Sequence, residues 1–223
     1  MTAKSYKAAH GLRAAYLLAA GALVLTTLMS NSAMAVDLFC GAVPSADFDR
    51  PPNLVHTGRY LNPVYGYSVN IPAAFSGYSA STGPQRGFGI VLSWQPRAFL
   101  NVDAAYDAFF DITAAGVHRS DLVAMRQHAT VLDDRAEQIT LARKQGNRFV
   151  TRVRCGDDSR VFVHDTVLVM VNREIYRLAL QTVPERYEAD SAVLNAMLRS
   201  WGWEPIRAAV PSTGSSPGGP PTR

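Results

Sequence analysis

The sequence predicts an α+β fold, an antiparallel β-sheet packed against helices in an α/β sandwich. Three observations predict it. In the second half, segments rich in Val, Phe and Thr follow one another across connections of only a few residues, which antiparallel neighbours allow and parallel ones do not. Two other segments carry apolar residues at helical spacing, and such stripes need a sheet face to cover. Pro and Gly sit at the ends of both kinds of segment, where they stop regular structure.

The first 35 residues read as a secretory signal peptide. Lys4, Lys7 and Arg13 precede a mostly apolar run from Ala14 to Leu28, and small Ala33 and Ala35 occupy the −3 and −1 places of a cleavage site. That run is about 15 residues, short of the roughly 20 that cross a bilayer core. Cys40 follows Asp37-Leu38-Phe39 rather than a small residue, which argues against lipid attachment. The expectation is a periplasmic protein starting at Val36, with no membrane span after cleavage. Three of the 22 Lys+Arg and none of the 18 Asp+Glu lie in the leader. The remainder carries 19 cations against 18 anions, a formal +1. That balance excludes the broad basic field of a nucleic-acid binder.

Two cysteines remain, Cys40 and Cys155. An even count in an oxidising compartment predicts a disulfide between them. With no Cys-x-x-Cys there is no redox motif, and two isolated Cys with scattered His give no zinc pattern.

Residues 36–56 form a Pro-rich extended entry segment, with Pro44, Pro51 and Pro52. A single domain follows over 57–204. Tyr65 to Ile71 alternates, with Tyr65, Tyr67, Val69 and Ile71 on one face and Pro72 as the stop. Gly87 to Trp94 reads as a strand halted by Pro96. Asn101 reads as the cap of a helix to about Ala115, with a stripe of Tyr106, Phe109, Phe110, Thr113 and Val117 and with Gly116 at its end. Glu137–Arg143 and Arg148–Arg154 flank Gln145-Gly146-Asn147, a hairpin signal. Arg160–Val171 is a long strand, and Asn172-Arg173 turns it into Glu174–Thr182. A last helix, Arg186 to Ser200, offers Val193, Leu194, Met197, Leu198 and then Trp201 to the core. Residues 205–223 are rich in Pro, Gly and Ser and lack aromatics, so they are expected to be disordered.

Two phrases go beyond this pattern. They are Tyr65-Gly66-Tyr67-Ser68-Val69-Asn70-Ile71-Pro72 and Ile175-Tyr176-Arg177-Leu178-Ala179-Leu180; Tyr187, Leu194, Met197, Leu198 and Ser200-Trp201 follow. With them the chain resembles the PsbP-like family and its bacterial DcrB-like relatives over about Thr57 to Trp203. The resemblance implies an antiparallel sheet flanked by helices. The family includes photosystem accessory proteins, envelope proteins and secretion-system adaptors, and it supplies no catalytic or metal-binding set that transfers residue by residue.

Candidate chemistry is sparse. Gly214-Ser215-Ser216-Pro217-Gly218 matches G-x-S-x-G but lacks the strand-to-helix context that a nucleophile elbow needs. Gly83 to Gly89 precedes a strand rather than a helix, so its amides do not converge on a phosphate. His164 and Asp165 are neighbours in a strand and face opposite ways. His56, His118 and His128 show no i,i+4 metal pairing, and Asp133-Asp134 and Asp157-Asp158 read as turn acids without the alternate spacing of a calcium loop. Tyr60, Phe75 and Tyr78 form a possible recognition surface, since aromatics give large contact area. No catalytic, cofactor-binding or metal-binding residue is predicted.

The expected function is therefore that of an exported, non-catalytic module binding another envelope or periplasmic protein. An immunity-type protein against a periplasmic toxin is a narrower form. A small hydrolase assembled from distant residues such as His164 and a carboxylate is the other reading.

Overall fold

The strands in chain order are β1 (Asn53–His56), β2 (Arg59–Asn62), β3 (Tyr67–Asn70), β4 (Gly77–Ala80), β5 (Phe88–Trp94), β6 (Arg97–Tyr106), β7 (Ala129–Leu141), β8 (Lys144–Cys155), β9 (Arg160–Val171), β10 (Glu174–Thr182) and β11 (Gly202–Trp203). Helix α1 spans Ala114–Arg126 and helix α2 spans Tyr187–Ser200. The computed structural model describes Cys40 and residues 53–80, 86–106, 113–156 and 159–206. The leader, nearly all of 36–52, the tail from 207 with its Gly-Ser-Ser-Pro-Gly phrase, and Asp157-Asp158 lie outside the described residues.

Among the described residues the large sheet runs β1-β4-β5-β6-β10-β9-β8-β7, with every neighbouring pair antiparallel. A small antiparallel sheet, β11-β3-β2, packs on one face of it together with α2. This front face carries Leu100, Val102 and Ala104 of β6 and Tyr176, Leu178 and Leu180 of β10, all in the main core. Tyr67, Val69 and Ile71 come from β3 and its end, and Leu194, Met197 and Trp201 from α2 and its end. Helix α1 covers the back face at β7, β8 and β9. There Leu122 and Met125 meet Val153, Cys155 and Phe162. The expected sandwich is thus the observed one.

The Cys40–Cys155 disulfide is present, with a Cα–Cα distance of 5.6 Å. It brings a residue 115 positions upstream to the end of β8, beside the C-terminal half of α1.

Three expectations need correction. The helix expected from Asn101 is strand β6 as far as Tyr106. Its Leu100, Val102 and Ala104 are fully buried at i, i+2 and i+4, and this two-residue period outweighs the helical stripe, which runs partly through residues 107–112, outside the described residues. The helix begins instead at Ala114, where Thr113 caps it by accepting from the Gly116 amide at 3.1 Å. Gly116 therefore lies in the first turn rather than at the end.

The β7–β8 turn falls at Ala142-Arg143, both left-handed (φ 44° and 73°), not at Gln145-Gly146-Asn147. Gly146 lies inside β8 for a packing reason. A Cβ there would sit 2.7 Å from Val169 Cγ2 and 2.8 Å from the Leu168 carbonyl oxygen. The entry segment expected over 36–56 ends in β1, which pairs with β4.

Candidate functional site

Strand β8 shows why its two faces differ. Phe149, Thr151, Val153 and Cys155 are buried on the back, under α1. Arg148, Val150 and Arg152 alternate with them and so point forward. Among the described residues, helix α2 touches this part of the front only through Tyr187 and Asn195, which bond Asp165 and Arg148. A groove of about 650 Å³ lies there. Its floor includes Val150, Arg152 and Val163. One wall is the β7 edge, with Asp133, Arg135 and Glu137. The other is Pro184 of a short 3-10 turn and Tyr187 at the start of α2.

At its base lies a buried salt. Asp165 of β9 is completely inaccessible, and Arg148 grips it from β8 with Nε–H at 2.7 Å and Nη2–H at 2.6 Å. The Tyr187 hydroxyl donates to the same carboxylate at 2.9 Å. Arg148 Nη1 donates to Asn195 of α2 at 3.2 Å and lies 3.8 Å from Glu137. A two-pronged guanidinium–carboxylate pair is directional, so this cluster fixes β8, β9 and α2 in one register. Asp165 raises the Arg148 pKa further above its usual range. Burial, followed by the charge and hydrogen bond of Asp165, pushes the Tyr187 phenol up to about 12.

Nearer solvent, Arg135 donates to Asp133 within β7 at 2.9 Å, and this bond holds the Asp133 carboxyl below the usual carboxylate range. Among the described residues, no carboxylate lies within ion-pair distance of Arg152, although Asp133 is close enough to feel its charge. The groove is therefore a strip of alternating charges over a small apolar floor.

The back face holds a second polar cluster. His118 of α1 bonds through Nε2 to both Asp134 oxygens, at 3.0 and 3.2 Å, and stacks on Phe149 at 3.9 Å. Thr151 donates to Asp134 at 2.7 Å, and Arg177 donates to Asp121 at 3.0 Å. Burial raises the Asp121 pKa. These bonds fasten α1 to β7, β8 and β10. His164 faces this same side by register, opposite Thr151 and Gln181, and not the groove.

The structure does not gather the expected aromatic surface. Tyr60 is only 5% exposed, because β2 pairs with β3 and turns it onto Phe88 (4.5 Å between ring centroids) and Tyr67. Phe75 packs against the same core. Tyr78 is half-buried in β4. His56 bonds Ser79 at 2.8 Å, far along the chain from the His118 cluster. Among the described residues no group of three His, Cys, Asp or Glu is placed to hold a metal ion.

The groove residues Arg135, Glu137, Arg148, Arg152 and Tyr187 were not singled out from the sequence. A signal existed: in a strand over Arg148–Arg154, the arginines at 148, 152 and 154 share one face while Phe149, Thr151 and Val153 share the other. That says which face is wet, but not that Tyr187 closes the groove from across the sheet.

No family model and no curated protein matches the chain. It is similar in fold to solved structures. Cyanobacterial PsbP (CyanoP) from Synechocystis sp. PCC 6803 is 17% identical with a TM-score of 0.48, covering 74% of this chain and 96% of that one. The Saccharomyces cerevisiae Ran-binding protein Mog1p is 11% identical with a TM-score of 0.45, covering 66% and 96%. LpqN, involved in cell envelope biogenesis of Mycobacterium tuberculosis, is 9% identical with a TM-score of 0.36, covering 71% and 88%. The sheet order and pairing establish the architecture.

Proposed function

We propose that the protein is an exported, non-catalytic module that binds another protein of the cell envelope, with the groove between β7 and Tyr187 as the docking site. One observation carries this reading: the groove's central ionisable groups are committed to one another. Asp165 is held by Arg148 and Tyr187, and Tyr187 keeps its proton to about pH 12. A general base needs an accessible group that titrates near the working pH, and this cluster offers a fixed, pre-ordered surface instead. Export is supported by the leader in the sequence and by the Cys40–Cys155 bond, since disulfides persist in oxidising compartments. Among the described residues, no helix is long and apolar enough to cross a membrane.

The test is a photo-crosslinking residue placed at Val150 in the full chain, expressed in its own host with cell fractionation. The reading expects a processed protein starting at Val36 and a discrete protein adduct that weakens with Arg152→Glu. An unprocessed cytosolic product would overturn the export part. Ester or peptide turnover by the purified protein, abolished by Tyr187→Phe, would overturn the non-catalytic part.

A further inference from the structure

Strand β7 ends the large sheet. Among the described residues it pairs with β8 alone; Arg135 to Gln138 are exposed, while His118 and Thr151 hold the Asp134 carboxylate on the back. A bulge at Leu132 interrupts its pairing, leaving a regular run from Asp133 to Leu141. An open edge carries unpaired N–H and C=O groups that bind another strand unless charges and bulges prevent it. Here the order of those charges is informative.

We infer that β7 pairs with β7 of a second copy of this chain, antiparallel about a two-fold axis at Ala136. In an antiparallel pair, residues directly opposite share a face of the sheet. With the axis at Ala136, Arg135 of one copy stands opposite Glu137 of the other, and the reverse pair follows by symmetry. Both side chains line the groove on the front face, so two cross-strand ion pairs form side by side. On the back face small Ala136 meets itself, and Asp134 stands opposite Gln138. The paired stretch, 133 to 139, stays inside the regular run and clear of the turn at Ala142-Arg143.

Neighbouring registers are worse. An axis at Arg135 sets Asp133 against Glu137, and an axis at Glu137 sets that residue against itself. Like charges directly opposite destabilise a strand pair. An axis at Asp134 opposes two carboxylates and also runs into the bulge. Among the registers centred from Asp134 to Glu137, only the one at Ala136 sets opposite charges against each other without opposing like charges. Such a contact is isologous, as two-fold dimers are. It joins two sheets edge to edge and makes the two grooves continuous across the axis. This inference does not depend on what the groove binds.

The experiment is sedimentation equilibrium on the oxidised mature protein and two variants, Arg135→Glu and Glu137→Arg. Both positions are exposed, and circular dichroism checks that each variant folds. The wild type is expected to double its mass with rising concentration. Each variant alone sets like charges against each other, at 135 opposite 137, and its dissociation constant should rise at least tenfold. An equimolar mixture sets an all-acidic pair against an all-basic pair, so a mixed dimer should form at least as tightly as the wild type. A wild type that remains monomeric at millimolar concentration overturns the inference. So does a dimer indifferent to both reversals, or a mixture that fails to associate.

Discussion

Replacing Arg148 by Met tests the packing logic of the groove most directly. The Asp165 carboxylate is fully buried and receives three hydrogen bonds, two from Arg148 and one from Tyr187. Arg148→Met keeps most of the side-chain volume but removes two of the three and strands the charge. Bonds to charged groups contribute about 1.5–3 kcal/mol each, and breaking one side of a buried pair costs about 3–5 kcal/mol. The two routes agree on a loss of about 4 kcal/mol. The assay is urea unfolding followed by tryptophan fluorescence, with the disulfide intact. The double variant Arg148→Met/Asp165→Leu should return to within about 1–2 kcal/mol of the wild type, since an apolar pair of similar volume removes both desolvation costs. A loss below about 1 kcal/mol for the single variant, or a double variant no better than the single, would refute the claim that this ion pair is a desolvated, mutually dependent unit.

Other consequences are equally open to measurement. Removing the Cys40–Cys155 bond by a Cys40→Ala/Cys155→Ala double change should lower stability by up to about 5 kcal/mol, the chain-entropy value for a loop of this length. An unchanged urea midpoint would show that the N-terminal segment contributes nothing to the fold. Gly146→Ala should cost at least about 1–3 kcal/mol, because the new methyl meets the Leu168 carbonyl and Val169; a neutral result would place Gly146 in a loop. Tyr187 has a folded pKa of about 12 against an ordinary 10.0, so its contribution is complete below pH 10 and is lost as the pH rises from about 10 to 12. Stability should fall across that window in the wild type and fall less in Tyr187→Phe, measured by denaturant titration at pH 9 and pH 11.5.

The second half of the fold was legible because its periodicities are unopposed. Arg160–Val171 and Glu174–Thr182 are strands with the bounds read from the sequence, and Asn172-Arg173 is the left-handed turn between them. The last helix begins at Tyr187, one residue late, and buries Leu194 and Met197 as expected. The failures come from residues whose role is set by a neighbour far away in sequence. Gly146 reads as a turn because nothing local shows that β9 presses against it. Helix α1 went unread because its buried face, Ala114, His118, Leu122 and Met125, includes a histidine that tolerates burial through Asp134 and Phe149. Tyr60 looked like a contact residue because its partners Phe88 and Tyr67 lie on other strands.

The groove itself follows from dimensions more than from any motif. Among the described residues the large sheet has eight strands, which at about 4.8 Å apart span roughly 34 Å. On the front, one helix about 10 Å across and a three-stranded sheet of two strand spacings cover roughly 20–24 Å. About two strands' width remains, open over the groove but covered toward the β7–β8 turn, where Leu141 joins the main core and Trp203 donates to the Ala142 carbonyl; behind it lies α1. A strand covered on one face alternates apolar and polar residues, which is the pattern of β8: Phe149, Thr151, Val153 and Cys155 behind, Arg148, Val150 and Arg152 in front. The bare strip is also the edge of the sheet, so the surface open to a partner and the strand open to pairing are the same element. Any partner seated there must contend with Arg135 and Glu137. A ligand that fills the groove and a second copy that pairs with β7 should therefore influence each other's binding. Crosslinking yield at Val150 that is unchanged between dilute and concentrated protein would show that the two surfaces act separately.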